Sequence, residues 1–290
     1  IIDLPFSWYR QFKLEEQFGF NRMTLGLFLS DLIKGTLLGL VIGIPLLWII
    51  LTLMNQAGEF WWVWAWLVWM GFNALLLWLF PTFIAPLFNK FKPLENDSLK
   101  ARIEELLQRC DFKSQGLFIM DGSKRSAHGN AYFTGFGRSK RIVLFDTLVE
   151  RLAPEEIEAV LAHELGHFSH RHVVKRIIAM FAASLGMFWL LGQLIDMPWF
   201  YNALGVQTPS TAMALILFFL TLPTFVFLTQ PLMSYFSRKQ EFEADAYAAK
   251  NANAADLVRA LVKLPVDARE VVQEDRPEGL RRDERVDVAL

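Results

Sequence analysis

The sequence predicts a mainly α, polytopic helical membrane protein with a small β-sheet in its one sizeable polar region. Three observations carry this expectation. Of 290 residues, 53% are hydrophobic and 20% charged, whereas soluble domains have about 45–50% apolar and about 25% charged residues. Four apolar stretches reach the roughly 20 residues needed to cross a hydrocarbon layer of about 30 Å. All 29 Lys and Arg residues fall on one side of a four-span arrangement, as the positive-inside rule describes.

The first span runs from Gly35 to Met54 without a charge. The second, Phe60 to Phe80, is crowded with Trp61, Trp62, Trp64, Trp66, Trp69 and Trp78, side chains that favour a membrane–water boundary. Pro81 and Pro86 are expected to end it. The polar region follows. Asp97-Ser98 can cap a helix whose apolar residues Leu99, Ile103, Leu106 and Leu107 recur at helical spacing. Gly116–Met120 and Arg141–Phe145 read as strands, and Gly122–Gly137 as turns around an extended piece, Ala131–Thr134. Pro154-Glu155-Glu156 opens a helix, because proline suits a first turn and acids suit its dipole. That helix is expected to run on into the third span, Ile177–Ile195. The fourth span covers Thr211–Gln230.

The connections 55–59 and 196–210 contain no Lys or Arg, while residues 1–34, 81–176 and 231–290 carry four, fifteen and ten. This places the polar region in the cytoplasm, at a bacterial inner membrane or an ER membrane. A net charge of −1 offers no basis for nucleic-acid binding. The single cysteine, Cys110, excludes an intramolecular disulfide and a cysteine-ligated zinc site. By composition the chain divides into a membrane region at 1–95, a second region with two spans at 96–265 and a charged tail at 266–290. It opens on Ile1 with no visible signal peptide and reads as part of a longer protein.

Residues 163–167 are His-Glu-Leu-Gly-His. Two histidines four apart share one helix face, so His163 and His167 can reach one zinc ion, with Glu164 placed as the base that takes a proton from a metal-activated water. A catalytic zinc needs a third protein ligand. Glu241 and Asp245 follow the fourth span, four apart and on one face. Glu241 can ligate, and Asp245 can hold the second nitrogen of a ligand histidine. Glu243 is expected to face solvent or an ion pair, His170 to lie beside the site or on the polar surface, and His172 to be interfacial. Asn130, ahead of Ala131–Thr134, reads either as a contact for a peptide added to a sheet edge or as part of a structural turn. Metal transport would call for intramembrane ligands, and no span carries His, Asp or Glu.

Several motifs together resemble the type I CAAX prenyl endopeptidases, integral-membrane zinc metalloproteases. They are Leu4-Pro-Phe-Ser-Trp-Tyr, Glu15-Glu-Gln-Phe-Gly-Phe-Asn21, Pro86-Leu-Phe-Asn-Lys-Phe91, Asn130-Ala-Tyr-Phe133, Lys140-Arg-Ile-Val-Leu-Phe-Asp-Thr-Leu148, His163–His167 and Glu241–Asp245. The resemblance implies a zincin-like peptidase region, one zinc held by His163, His167 and Glu241, Glu164 as base, and substrate contact near Asn130. It also implies a peptide or protein substrate, prenylated or membrane-associated, and a site facing a water-filled chamber. The chain is expected to be a bacterial member of the family, and general membrane-protein quality control is the alternative within the enzymes. Family members carry further helices ahead of this point and a late His-Pro motif, whereas no histidine follows His172 here. An inactive zinc-binding fragment is therefore a further alternative.

Overall fold

The computed structural model describes residues 3–134 and 140–264. The expected tail at 266–290 lies outside them, as do the glycines at 135 and 137. The described residues gather into two compact units. One draws on residues 3–25, 89–134, 140–162 and 248–264, the other on Gly26–Phe88 and His163–Tyr247.

In the first unit, four strands form a sheet in the order β1-β2-β4-β3: β1 (Phe91–Pro93), β2 (Leu117–Met120), β3 (Ala131–Thr134) and β4 (Arg141–Phe145). β2 and β4 are parallel, with Leu117 opposite Ile142, while β1 and β3 are antiparallel to their neighbours. Ile142, Val143 and Leu144 are all buried, as a central strand covered on both faces requires. β1 was not anticipated, because Phe-Lys-Pro is too short and too polar to carry a period.

The helix Asp97–Arg109 (numbered α3 below, after the two membrane helices of the other unit) buries the four predicted residues Leu99, Ile103, Leu106 and Leu107. Its cap is Asn96, one residue before the expected pair: the Asn96 side chain accepts from the Leu99 backbone N–H at 3.1 Å. Asparagine is as good a cap as aspartate and here stands at the residue with extended backbone. Arg102 donates to Glu158 at 2.8 Å and to Glu155 at 2.9 Å, and Arg109 also pairs with Glu158. The N-terminal stretch joins the same unit through Asn21, which bridges to Ser126. The turn before it needs Gly19 at φ +72°, where a Cβ would be strained.

The second unit holds four helices long and apolar enough to cross a membrane. The first two are α1 (Leu25–Gln56) and α2 (Trp61–Leu79). Pro81 and Pro86 do not stop the second. The helical path continues through a π turn, Phe80–Ile84, to Phe88, because proline costs little at the start of a turn, where its missing N–H has least to bond. The later elements, in chain order, are α4 (Asp146–Arg151), α5 (Pro154–Ser169), α6 (His172–Leu194), α7 (Pro198–Asn202), α8 (Thr211–Asn251) and α9 (Ala254–Lys263). The expected continuity from the motif helix into the third span is broken. Arg171 adopts left-handed backbone at φ 55°, so α5 ends at Ser169 and α6 starts at His172.

Ile50, Met54, Trp61, Ala65, Leu191, Phe200, Tyr201, Ala214, Leu217 and Phe218 form the core of this unit. The Trp66 indole N–H donates to the Phe181 carbonyl and the Ser184 hydroxyl, both at 3.1 Å. Elsewhere the helices present apolar side chains outward, such as Val41 at 71% and Leu228 at 73% exposure. Water would penalise that surface and lipid would not. By its spans and this outward face, the chain is an integral membrane protein.

Candidate metal centre

At about 1.5 Å per residue, the 41 residues of α8 extend roughly 60 Å, about twice the hydrocarbon thickness. Glu241 and Asp245 therefore stand on the continuation of the fourth span itself. They meet α5 because α5 has no side chain at Gly166. A Cβ built there would come within 2.8 Å of the Ala244 Cα and 3.0 Å of its carbonyl oxygen. The glycine of the His-Glu-Leu-Gly-His motif is thus a packing requirement, set between the two histidines it brings to α8.

Three donor atoms converge at this crossing. His163 Nε2 and His167 Nε2 are 3.2 Å apart, and Glu241 Oε2 is 3.4 Å from each. Zinc bonds of about 2.0–2.1 Å at tetrahedral angles place neighbouring ligands about 3.3 Å apart. The triangle has that edge length, so these residues fit a zinc ion with a fourth position left open. Among the described residues this is the cluster of His, Cys, Asp and Glu close enough to share a metal.

The surroundings tune each group. His163 Nδ1 is 2.8 Å from Asp245 Oδ1, so the carboxylate accepts from Nδ1–H and leaves the Nε2 lone pair for the metal. Burial lowers the His167 pKa, with Glu241 opposing, which favours the neutral, ligating imidazole. Burial raises the Glu164 carboxyl above its ordinary value; the His163 charge opposes this and Glu241 adds to it. The half-buried Glu164 stands outside the group of donor atoms.

His163, Glu164, His167, Glu241 and Asp245 are all brought together in the second unit. Asn130 belongs to the first unit. Its side-chain oxygen accepts from the Ala131 N–H at 2.8 Å and its carbonyl accepts from Phe145 N–H at 2.9 Å. Glu243, expected to face solvent or an ion pair, meets His172, whose Nε2 lies 2.9 Å from Glu243 Oε2.

His172 itself departs from expectation. It is 1% exposed, with Nδ1 3.0 Å from His167 Nδ1. A continuous helix would carry residue 172 about 140° around the axis from His167; the reversal at Arg171 brings it back. The polar run Ser169-His170-Arg171 ahead of the apolar span was the signal available for that break. His170 turns inward to the Gly166 carbonyl, 2.9 Å from its Nδ1, and stacks near His172 at 5.5 Å.

A family model described as "CAAX prenyl protease N-terminal, five membrane helices" matches residues 1–90, and one described as "Peptidase family M48" matches residues 93–280. The chain is 38% identical to the CAAX prenyl protease 1 homolog of Arabidopsis thaliana, covering 91% of this chain and 62% of that protein. It is 38% identical to CAAX prenyl protease 1 of Saccharomyces cerevisiae, with 92% and 62% covered. The human CAAX prenyl protease 1 homolog is 35% identical, with 92% and 64% covered. The chain therefore spans somewhat less than two thirds of the length of these curated relatives. The crystal structure of S. mikatae Ste24p matches it with a TM-score of 0.83 at 38% identity, over 92% of this chain and 67% of that one.

Proposed function

This chain belongs to peptidase family M48, and from that premise we propose that it is a membrane-embedded zinc metalloendopeptidase of the CAAX prenyl protease kind. Its substrates are prenylated or membrane-associated peptides. The observation that carries this reading is the triangle of His163 Nε2, His167 Nε2 and Glu241 Oε2, with edges of 3.2–3.4 Å, beside a carboxyl, Glu164, whose pKa burial raises.

Those three residues would hold one zinc per chain, and when bound the metal supplies a Lewis acid that acidifies water and polarises a carbonyl. Glu164 takes the proton of the attacking water and passes it to the leaving amine. A raised pKa suits a group that must both accept and return a proton. Asp245 keeps His163 in its ligating tautomer. β3 carries no strand on its second edge among the described residues, and an extended peptide can add there, with Asn130 at the start of that edge. Residues 1–95 serve as membrane domain and residues 96–265 as peptidase region. The distribution of Lys and Arg supports a cytoplasmic catalytic side.

The test is zinc stoichiometry together with cleavage of a farnesylated peptide and its unprenylated twin. One zinc per chain, preferential cleavage of the farnesylated peptide, and a loss of about 10²–10⁴-fold in Glu164→Gln with zinc retained are expected. Equal cleavage of the two peptides would replace the prenyl reading with general quality control. Absence of bound zinc would remove the metalloprotease reading.

A further inference from the structure

We propose that His172 and Glu243 form a positioning relay that holds His167 in the one tautomer able to bind a metal; this rests on the metal-centre reading above. The relay is a chain of two short contacts. His167 Nδ1 lies 3.0 Å from His172 Nδ1, and His172 Nε2 lies 2.9 Å from Glu243 Oε2.

The proton positions follow from the end of the chain inward. An ionised carboxylate only accepts, so His172 Nε2 carries the hydrogen and donates it to Glu243. A neutral imidazole has one N–H, so His172 Nδ1 presents a lone pair. His167 Nδ1 must then carry the hydrogen of that contact. This leaves His167 Nε2 with its lone pair directed at His163 Nε2 and Glu241 Oε2, 3.2 and 3.4 Å away. Among the neutral tautomers of the two rings, this one satisfies every contact.

His172 is 1% exposed, and burying an imidazole costs free energy unless both nitrogens are bonded. Here both are. An apolar side chain would fill the same space without that requirement, so the polar ring at this position is explained by what its nitrogens do. The two ligand histidines are consequently supported in different ways. His163 has a carboxylate directly on Nδ1, at 2.8 Å. His167 has a neutral ring there, and Glu243 acts on it from one ring further out. Neither His172 nor Glu243 belongs to the donor group, and His172 touches it at His167.

The experiment uses the full 290-residue chain in detergent. Zinc affinity is measured by chelator competition for wild type, His172→Leu and His172→Asn, with Co²⁺ visible absorption as a report on ligand geometry and melting of the metal-free proteins as a fold control. Asparagine places a carbonyl oxygen near the former Nδ1 and can accept from His167, whereas leucine cannot. His172→Leu is expected to weaken zinc binding about 10–100-fold and to alter the Co²⁺ bands. His172→Asn is expected to recover most of both. Wild-type affinity in His172→Leu overturns the relay, and so does equal loss in the two variants, which would make the ring a packing element. Failure of the wild type to bind zinc is the separate result that removes the metal centre itself.

Discussion

At the scale of the residue, three glutamates of the two motif helices do three different things. Glu164 is half-buried and raised in pKa, Glu241 joins the donor triangle while half exposed, and Glu156 is structural. Glu156 stands three residues after Ala153, the residue before α5, and accepts its backbone N–H at 2.8 Å. This is half of a capping box. It also accepts from Lys263 Nζ at 2.8 Å, and that hydrogen bond is the main cause holding its carboxyl below the ordinary value, with burial opposing. A depressed carboxylate contributes stability that is present above the unfolded value of about 4.3 and is lost as pH falls through the folded pKa. Glu156→Gln is therefore expected to melt below wild type at pH 7, with the gap closing as pH falls below about 4. A gap of constant size down to strongly acid pH would show that the ion pair is not its origin. His163, His167, Glu241 and Asp245 were legible as candidates because side chains four residues apart share a helix face, and Glu164 because it follows the first histidine of the motif. The role of His172 was not, because it depends on one backbone angle.

At the scale of the element, the site is a crossing of α5 and α8, and the crossing distance is set at Gly166. A methyl there meets backbone atoms of Ala244 at 2.8 and 3.0 Å, which cannot rotate away as a side chain would. Gly166→Ala is thus expected to push the helices apart and to weaken zinc binding at least tenfold. Calorimetric titration of the metal would measure this, and unchanged affinity would mean the crossing can relax. Overpacking of a close contact typically costs about 1–3 kcal/mol. The left-handed Arg171 is the second device at this scale. Such backbone in a non-glycine residue costs on the order of 1–3 kcal/mol and persists because α5 and α6 are both held by their own packing. The apolar period announced α6 and α8 as spans, but periodicity cannot report a break between two helices or the extension of one beyond the membrane.

At the scale of the whole molecule, four apolar helices and a one-sided charge pattern define an integral membrane protein of peptidase family M48. The proposed cytoplasmic placement of the polar region, which rests on the Lys and Arg distribution, makes a direct prediction. In a Cys110→Ser background, Asn202→Cys at the end of α7, in the connection after the third span, should react with a membrane-impermeant maleimide from outside intact cells. Lys100→Cys should react only after permeabilisation. Labelling of both positions from the same side would contradict the four-span topology.

The sequence alone determined the number of spans, the strands β2, β3 and β4, and the identity of the donor residues. Each of these leaves a local trace: an apolar run of membrane length, an extended apolar segment, or a fixed spacing on a helix face. Only the tertiary structure decided that Glu241 Oε2 completes a triangle of zinc dimensions, that Gly166 sets the helix crossing, and that His172 stands behind His167. These depend on distances between residues of α5 and α8 that stand 74 or more apart in the chain, as His167 and Glu241 do, and on a reversal at Arg171. No periodicity in either segment encodes them, because they arise only when two helices pack and the chain between α5 and α6 turns back on itself.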